Sequence, residues 1–480
     1  MNFVQKINDY IEAKRDTYIK ISDQIWDLAE TRFEEHKSAD VLCQALENEG
    51  FKVERGVGGV ETAFTGTFGS GKPVIGILGE FDALSGMSQK AGSTTYEPLE
   101  KNGNGHGCGH NLLGTSPLAA VIAVKQYMEE NNVSGTIKYF GCPGEEGGSG
   151  KTFMAREGAF DDIDCALTWH PHSTSGIFTL STLANYQVYF TFKGVAAHAA
   201  NSPHLGRSAL DAVELMNVGV NYLREHIIPE ARVHYSITNT GGFSPNVVQS
   251  EAQVLYLIRA PHMKDVRSIY ERVVNIAKGA ALMTETKVEV TFDKACSNYI
   301  PNNALGQVLH KHLENVGLAE YNEEEMSYAE EIRKQISDDD VSNALNEMKK
   351  VAGSKANLIT RDFASKTFND LVVPYEESNG ILFGSSDVGD VSWIVPTAQF
   401  FGECFVLGTP LHSWQLVSQG RTSIAHKGML QAGKVLANTA LDLFLRPEVI
   451  EDAKVELEEK LDGNPYECPI PKGVEPSPLA

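Results

Sequence analysis

Short apolar runs bounded by glycine alternate with helical patterns in the first third of the chain, and this alternation narrows the choice of fold most. Residues 74–78, 137–142 and 165–169 have the length and composition of strands, whereas residues 111–128 have the apolar spacing of a helix. Strands that are separated by helices usually pair in parallel within one covered sheet. The sequence therefore predicts an α/β core with a largely parallel sheet.

Helical patterns flank this region. Apolar residues recur at helical spacing over 3–30 and 38–49. Later in the chain, helices are predicted over 303–316, 323–351 and 418–445, with strand-like pieces near Ile381 and Phe400. The core is therefore expected to resume in the second half of the chain.

The middle of the chain has a different order of elements. A strand, helix, strand, strand, helix and strand are predicted over 186–192, 208–226, 232–239, 252–259, 265–283 and 287–292. This βαββαβ order is typical of a small ferredoxin-like domain. We predict a discontinuous core domain formed by 1–185 and 299–480, interrupted by an inserted domain over 186–298.

Composition excludes several classes of protein. The chain has 480 residues, 42% of them apolar, and is too long to fold around a single hydrophobic core of ordinary size. Its formal net charge of −22 disfavours nucleic acid and anionic membranes as partners. Seven scattered cysteines indicate reduced thiols rather than a disulfide framework. No long apolar run or signal-peptide pattern is present, so we expect a cytoplasmic protein without a membrane partner.

The densest group of candidate ligands is the stretch His-Gly-Cys-Gly-His over 106–110, which leads into the helix predicted from Asn111. Thiolate and imidazole are good ligands for transition metals, and the glycines let Cys108 and His110 turn toward one ion. A helix N-terminus also favours a charged thiolate. The simpler alternative is a glycine-rich turn with a buried cysteine.

A second candidate group is Glu145 and Glu146, which lie between glycines directly after the strand predicted over 137–142. Ligand sites of α/β proteins form at the carboxyl ends of strands. One carboxylate can bind metal while its neighbour takes a proton from the attacking water. Ordinary surface charge is the alternative for two adjacent acids in a loop.

Two further histidines complete the set. His170 follows the strand near 164–169, and His412 lies in a loop over 408–413; each alone fits an ordinary core or turn histidine. His172 competes with His170, which we favour because it directly follows the strand. Together with the first two groups, they supply one thiol, three imidazoles and one carboxylate. That is enough for two metal ions with positions left open for water and substrate.

Six ordered motifs carry a family resemblance. They are the stretches over 79–84, 106–111, 145–148, His170, 194–199 and 411–413. In this order they resemble the aminoacylase and amidohydrolase branch of the glutamate-carboxypeptidase-like metallopeptidases. The resemblance implies a di-metal exopeptidase-like catalytic domain, with 186–298 as a lid and dimerisation domain. It also implies two divalent ions, Zn or Mn with Co as a further candidate, held by Cys108, His110, Glu146, His170 and His412.

The resemblance also assigns roles outside the ligand set. Glu145 is expected to be the general base, and Asp82 to orient a metal ligand. His198 is expected to stabilise the oxyanion, either in its own chain or in a partner's. Arg259 and Asn246 match lid positions that grip a substrate carboxylate; a salt bridge and a turn cap are their ordinary alternatives.

The activity implied is hydrolysis of an N-acyl or N-aroyl amino acid, with p-aminobenzoyl-glutamate the favoured example. Dipeptidase and aminoacylase activities are close alternatives, as is a weakly active subunit in a hetero-oligomer. A homodimer or an assembly with a related subunit is expected. The chain departs from the carboxypeptidase branches in lacking the first-strand histidine within 79–84. Two further departures bear on substrate choice: the segment between Leu84 and His106 is long, and 323–350 contain additional helix.

Overall fold

Residues 3–478 are described by a computed structural model, in which the chain folds around two β-sheets. The strands are β1 (Lys52–Arg55), β2 (Phe64–Ser70), β3 (Val74–Glu80), β4 (Gly135–Cys142), β5 (Cys165–His172), β6 (Gly176–Ile177), β7 (Ala184–Lys193), β8 (Arg232–Asn239), β9 (Glu251–Ala260), β10 (Lys287–Cys296) and β11 (Thr397–Glu403).

The helices lie on both sides of the larger sheet and on the smaller one. They are α1 (Phe3–Ala13), α2 (Arg15–Leu28), α3 (His36–Asn48), α4 (His110–Asn131), α5 (Glu145–Gly148), α6 (Gly150–Arg156), α7 (Ala209–Leu223), α8 (Met263–Thr284), α9 (Asn303–Val316), α10 (Glu323–Arg333), α11 (Asp338–Ala352), α12 (Val388–Ser392), α13 (Trp414–Gln419), α14 (Ser423–Leu445) and α15 (Glu448–Leu461).

The larger sheet has seven strands in the order β1-β2-β4-β3-β5-β11-β6. Its four central strands β4, β3, β5 and β11 are parallel, while β1, β2 and β6 join antiparallel at the edges. The predicted α/β core with a largely parallel sheet is confirmed. The edge strands β1 and β2 were not predicted, because they are short and rich in polar residues and glycine.

Helix α4 places the glycine-rich stretch at the carboxyl edge of this sheet. The helix is buried along its first fifteen residues and packs against α14, β3 and α2. It begins immediately after Gly109, whose φ of 76° lies in the left-handed region. A Cβ at Gly109 would also lie 2.9 Å from Pro171 Cγ. Glycine is therefore required both for the turn and for the close approach of β5.

The smaller sheet is antiparallel, in the order β10-β7-β9-β8, and α7 and α8 pack against it. Alternate residues of β9 are buried, as expected for a sheet with one face covered by helices. The edge strand β8 is mostly exposed. The predicted βαββαβ order is observed between Ala184 and Cys296. The domain limits 186–298 stay a prediction.

Several local predictions need correction. The single helix predicted over 323–351 is two helices, because the Ser337 side chain caps α11 by accepting the Asp340 N–H. The long helix begins at Ser423, after the Thr422 cap, rather than at 418. Ile381 makes only an isolated bridge to Ser181. Strand β5 continues to His172, so His170 lies within the strand and does not follow it.

Two expectations about the whole chain are also addressed by the structure. All seven cysteines are free thiols. Within residues 3–478, no helix has both the length and the apolar character needed to cross a membrane.

Candidate metal centre

Cys108 and His170 meet where the loop before α4 passes the end of β5. The Cys108 Sγ lies 3.3 Å from His170 Nε2. The other ring nitrogen, Nδ1, is 2.8 Å from the Pro171 carbonyl oxygen. Because a carbonyl only accepts, Nδ1 must carry the proton, and Nε2 keeps its lone pair. His170 therefore presents a free donor atom beside the sulfur, the arrangement that a metal ligand needs.

His110 is held in the same way by a carboxylate. Its Nδ1 lies 2.9 Å from Asp82 Oδ1, while its fully buried Nε2 has no hydrogen-bond partner. Burial by itself lowers the pKa of His110, but the charges of Asp82 and Glu80 outweigh it and raise the pKa to about 10. A buried nitrogen that makes no hydrogen bond and lies 3.4 Å from the Glu80 carboxylate fits a cation site.

Glu146 and His412 form the other side of the cluster. Glu146 Oε1 lies 3.1 Å from His412 Nε2, and the His412 backbone N–H donates to the Gly107 carbonyl at 2.8 Å. Burial tends to raise the pKa of Glu146, yet the hydrogen bond from His412 and the charge of His110 lower it to about 2. The carboxylate is therefore ionised over the whole physiological range.

These donor atoms form overlapping groups of the size that a metal ion requires. Three such groups occur among the described residues, and within each group one ligand atom from every residue lies within 4.8 Å of the others. The groups are Cys108 with His110 and His170, Cys108 with Glu146 and His412, and Glu80 with His110 and Glu145. Burial and the charges of Glu146 and Glu145 raise the pKa of the Cys108 thiol well above its usual range. A nearby divalent cation lowers the pKa of such a thiol and stabilises the thiolate, so the donor set fits a divalent metal.

Glu145 lies next to the cluster with a different electrostatic environment. Burial, followed by the charges of Glu80 and Asp387, raises the pKa of Glu145 well above its usual range, and Lys151 opposes the shift. Two adjacent carboxyl groups thus have pKa values moved in opposite directions. Such a pair divides the roles of ligand and proton acceptor.

Sequence reasoning missed two charged residues beside the site. Lys151 is fully buried, with its Nζ 2.6 Å from Glu80 Oε1 and 2.7 Å from Asp387 Oδ1. Glu80 belongs to the motif over 79–84, but no sequence pattern indicated a role for Lys151, since a lone lysine is usually exposed. Asp387 lies beside the site, where its carboxylate accepts from both the side chain and the backbone N–H of Lys151.

Asp82 links two parts of the cluster. Its Oδ1 accepts from His110, and its Oδ2 accepts the backbone N–H of Glu146 at 2.8 Å. Its side chain is buried. One carboxylate therefore sets the ring orientation of a candidate ligand and the backbone position of another.

Arg259 extends from β9 of the smaller sheet. Burial lowers the pKa of its guanidinium, while the charges of Cys296 and Glu145 act in the opposite direction, which places Arg259 within electrostatic reach of the cluster. Its Nε is buried without a partner, and no salt bridge to Arg259 forms within residues 3–478. The salt-bridge alternative is therefore not observed, and the guanidinium is free to bind an anion.

His198 and Asn246 lie together on exposed loops of the smaller sheet. The backbone N–H groups of Ala200 and Asn201 donate to His198 Nδ1 at 3.2 and 3.1 Å. Because Nδ1 accepts, Nε2 carries the proton and is a free donor. Asn246 lies nearby, where its carbonyl accepts the Ala199 N–H. Among the described residues, neither side chain is hydrogen-bonded to the donor cluster.

A model of the family described as Peptidase family M20/M25/M40 matches residues 76–469. The chain belongs to this family. It is 56% identical over 473 residues to a subunit of the p-aminobenzoyl-glutamate hydrolase of Escherichia coli, with 98% of each chain covered. It is 27% identical to the Xaa-Arg dipeptidase of Mus musculus, covering 92% of this chain and 89% of that one.

A solved structure of an aminobenzoyl-glutamate utilization protein from Klebsiella pneumoniae has the same fold. The TM-score is 0.60 at 17% identity, and the match covers 91% of this M20 chain and 98% of that one. The family and fold predicted from the six motifs are confirmed. So is the enzyme class: the chain is a metal-dependent amidohydrolase.

In this M20 chain, the structure brings together the five predicted ligands with Glu145 and Asp82, and places Arg259 nearby. It leaves His198 and Asn246 outside. The individual roles of these residues stay predictions.

Proposed function

We propose that this M20 amidohydrolase cleaves the amide bond between an aroyl group and an amino acid, with p-aminobenzoyl-glutamate as its favoured substrate. The observation that carries the proposal is the convergence of one thiol, three imidazoles and the Glu146 carboxylate beside Glu145, with the buried His110 Nε2 left without a hydrogen bond. The relative that is 56% identical is named for hydrolysis of p-aminobenzoyl-glutamate, and its similarity extends over 98% of both chains.

We assign two divalent ions to the cluster. The overlapping donor groups support two adjacent positions that share Cys108, one with His110 and His170 and the other with Glu146 and His412. A thiolate favours Zn or Co, and Mn is the further candidate. Divalent ions held by these residues would supply Lewis acidity toward the amide carbonyl and the attacking water.

The chain's own residues then move the protons. Glu145 accepts a proton from the attacking water and delivers it to the leaving nitrogen, so that the amine departs neutral. Glu146 stays ionised as a ligand beside it. Asp82 holds His110 and the backbone of Glu146 in place throughout.

The smaller sheet supplies the remaining groups. His198 donates its Nε2–H to the oxyanion that forms when water adds to the carbonyl carbon. Arg259 binds the substrate's carboxylate through two parallel hydrogen bonds, and Asn246 supplies a further donor. We therefore propose that 186–298 acts as a lid over the catalytic domain.

Assembly belongs to the same proposal. We propose a homodimer, or a hetero-oligomer with a related subunit, formed through the lid domain. The Escherichia coli relative is named as one subunit of its hydrolase, which supports an assembly. So does the exposed edge strand β8 with the fully exposed Phe243 after it, because such apolar exposure is typical of interfaces.

The decisive test is the substitution Glu145→Gln. Glutamine keeps the size of the side chain but cannot accept the proton, so we expect kcat for p-aminobenzoyl-glutamate to fall by about 10²- to 10⁴-fold. Metal content measured by mass spectrometry should be unchanged. Glu61→Gln, at a side chain that is 86% exposed, is the matched control and should keep full activity. Retained activity in E145Q rules out the proposed base.

A substrate panel tests the substrate. The purified chain, loaded with each metal in turn, is assayed on p-aminobenzoyl-glutamate, N-acetyl-glutamate and a dipeptide ending in arginine. We expect the highest kcat/KM on the aroyl substrate. Preference for the dipeptide would assign a dipeptidase instead, and loss of activity in the single chain that a related subunit restores would assign a weakly active partner.

A further inference from the structure

The carboxylate turn, residues 144–148, carries Glu145 and Glu146 and has little internal structure to fix it. Its helix α5 is one turn long, and the backbone of Glu146 and Gly147 departs from helical angles. Gly144 and Gly147 have φ values of 66° and 97°, in the left-handed region. A backbone hydrogen bond of 2.9 Å joins the first and last residues of the turn. Because one helical turn is not stable alone, the position of the two carboxyl groups depends on contacts from other segments.

The segment 32–35, between α2 and α3, covers the carboxylate turn. Glu35 Oε1 accepts the backbone N–H of Gly144 at 2.9 Å. The ring of Phe33 packs against both ends of the turn, because a Cβ added at Gly144 or Gly148 would lie 2.8 or 2.7 Å from a ring atom. Two residues of this segment therefore hold the ends of the turn.

Arg32, in the same segment, binds both the carboxylate turn and the smaller sheet with one guanidinium. Its Nη1 donates to the carbonyl oxygen of Gly147. Nη1 and Nη2 also lie 3.2 and 3.1 Å from the two carboxylate oxygens of Asp293, a residue of β10. Gln187 of β7 donates to the same carboxylate at 2.6 Å, and Nη2 makes a longer contact of 3.5 Å with the Pro478 carbonyl oxygen. Arg32 therefore links the turn directly to the smaller sheet.

The salt bridge between Arg32 and Asp293 is almost completely buried, with 2% and 4% of the two side chains exposed. Asp293 lies at a β-bulge, where the pairing of β10 with β7 shifts between Phe292 and Lys294, and bulges redirect side chains. A buried ion pair adds little stability over apolar residues of similar size, because both charges lose their hydration. Its two parallel hydrogen bonds instead fix the orientation of the guanidinium, and with it the contact to Gly147.

The residues just before Arg32 contact the strand end that carries Asp82. The Glu30 carbonyl accepts the N–H of Ala83 at 2.8 Å, and Thr31 forms an isolated bridge with Ala83. Asp82 in turn accepts the backbone N–H of the second glutamate of the carboxylate turn. This part of the chain therefore holds both partners of that hydrogen bond in register.

We infer that Arg32 is a positioning residue of the amidohydrolase: through the Gly147 carbonyl it fixes the carboxylate turn, and Asp293 acts by orienting Arg32. The inference rests on the proposed function in one point, the role of Glu145 as the base. None of the described contacts of Arg32 is with a candidate metal ligand, so it acts on the reaction through the turn. A shift of about 1 Å in the position of the base is enough to lower turnover about 10²-fold.

The test compares Arg32→Met, Asp293→Asn and the double variant as metal-loaded enzymes. In Arg32→Met we expect kcat for p-aminobenzoyl-glutamate to fall about 10²-fold, with KM unchanged within about twofold, because the base is displaced and the substrate-binding groups are not. Arg32→Lys, which keeps the charge but not the fork, should give an intermediate loss. Asp293→Asn should lose less than R32M. The double variant should be no slower than R32M, because Asp293 acts only through Arg32.

Asp442→Asn is the matched control. Asp442 is also buried and accepts two hydrogen bonds of 2.7 Å from Arg446, so its loss should lower thermal stability but leave kcat unchanged. Hydrogen–deuterium exchange of a peptide spanning 144–148, in the metal-free protein, is the second measurement. In R32M we expect its exchange to be about tenfold faster, because one hydrogen bond from a charged donor is lost. Exchange in D442N should match the wild type.

Wild-type kcat in R32M, or additive losses in the double variant, would overturn the inference. So would an equal loss of kcat in D442N and D293N, since activity would then follow stability alone. If the wild type hydrolyses no substrate of the panel, the proposed function fails separately, and exchange decides: faster exchange over 144–148 supports the inference, and exchange equal to that of the wild type overturns it in either case. If R32M does not fold, Arg32→Lys replaces it in every comparison.

Discussion

The metal-binding half of the candidate site and its lid half are built differently. His110, Asp82 and Cys108 are buried and held by defined contacts within one chain. His198 and Asn246 lie on exposed loops, hydrogen-bonded only to their own surroundings. The first half is therefore preorganised before substrate arrives. In the proposed mechanism, the second half reaches the reaction only by lid closure or from a partner chain.

The difference has a physical reason. A cluster of donors for metal must be fixed to within fractions of an ångström, and buried hydrogen bonds supply that precision. A donor to the oxyanion must instead leave room for the substrate to enter. In the proposed mechanism, the burial of His110 meets the first requirement and the exposure of His198 meets the second.

The largest effect on the preorganised half is expected from Lys151→Met. The change leaves the carboxylates of Glu80 and Asp387 buried without their cation, which should lower the free energy of unfolding by about 3–5 kcal/mol. Urea unfolding of the metal-free protein measures it. Lys350→Met, at an exposed position of α11, is the control and should stay within about 0.5 kcal/mol of the wild type. An equally small loss in K151M would show that the buried network is not required.

For the lid half, His198→Ala is expected to lower kcat by about 10²- to 10³-fold, the usual cost of removing an oxyanion donor. Thermal stability and metal content should be unchanged, because the side chain is exposed. His204→Ala in the same loop is the matched control. A decrease in metal content would instead place His198 in the preorganised half.

Mixing two inactive variants decides which chain His198 serves. If His198 acts in a partner's site, combining E145Q with H198A restores part of the activity, since one site of the mixed dimer then has both residues intact. If it acts in its own chain, the mixture stays inactive. Activity of the mixture after subunit exchange is the measurement.

In the metal-binding half, Asp82→Asn tests how much the orienting carboxylate contributes to metal affinity. Loss of the charge on a residue that orients a ligand should weaken metal affinity about 10- to 100-fold. Competition with a chelator measures the affinity, and excess metal should recover most of the activity. Unchanged affinity would contradict the role given to Asp82.

The smallest effect is a pH dependence that comes from the buried core near β11. Burial raises the pKa of Glu403 to about 8, although the Tyr321 hydroxyl and the Asn369 N–H lower it. Above the ordinary pKa of a glutamate, the unfolded chain therefore releases a proton that the folded protein still holds on Glu403. The stabilisation that Glu403 gives is complete at acid pH and is lost as the pH rises toward 8. Between pH 6 and 7 we expect the wild type to lose up to about 1.4 kcal/mol relative to Glu403→Gln. Parallel stability curves for the two proteins would contradict the shift.

Some parts of the candidate site could be predicted because their signals are local. Cys108 and His110 lie two residues apart beside glycines, and Glu145 and Glu146 follow a strand directly. The carboxyl ends of parallel strands meet at one edge of a sheet, so these residues were expected to converge. The sequence pattern predicted that His170 follows a strand, whereas it lies within β5. Its contact with Cys108 is nevertheless the one expected of a shared site.

Taken alone, the sequence determined the family, the α/β core, the inserted βαββαβ segment and the candidate metal ligands, because spacing and residue type carry that information. Only the tertiary structure revealed the salt bridges of Lys151 and the separation of His198 from the candidate metal ligands. Lys151 and Asp387 are 236 residues apart in the chain. Contacts between distant segments depend on how whole elements pack, which no local pattern encodes.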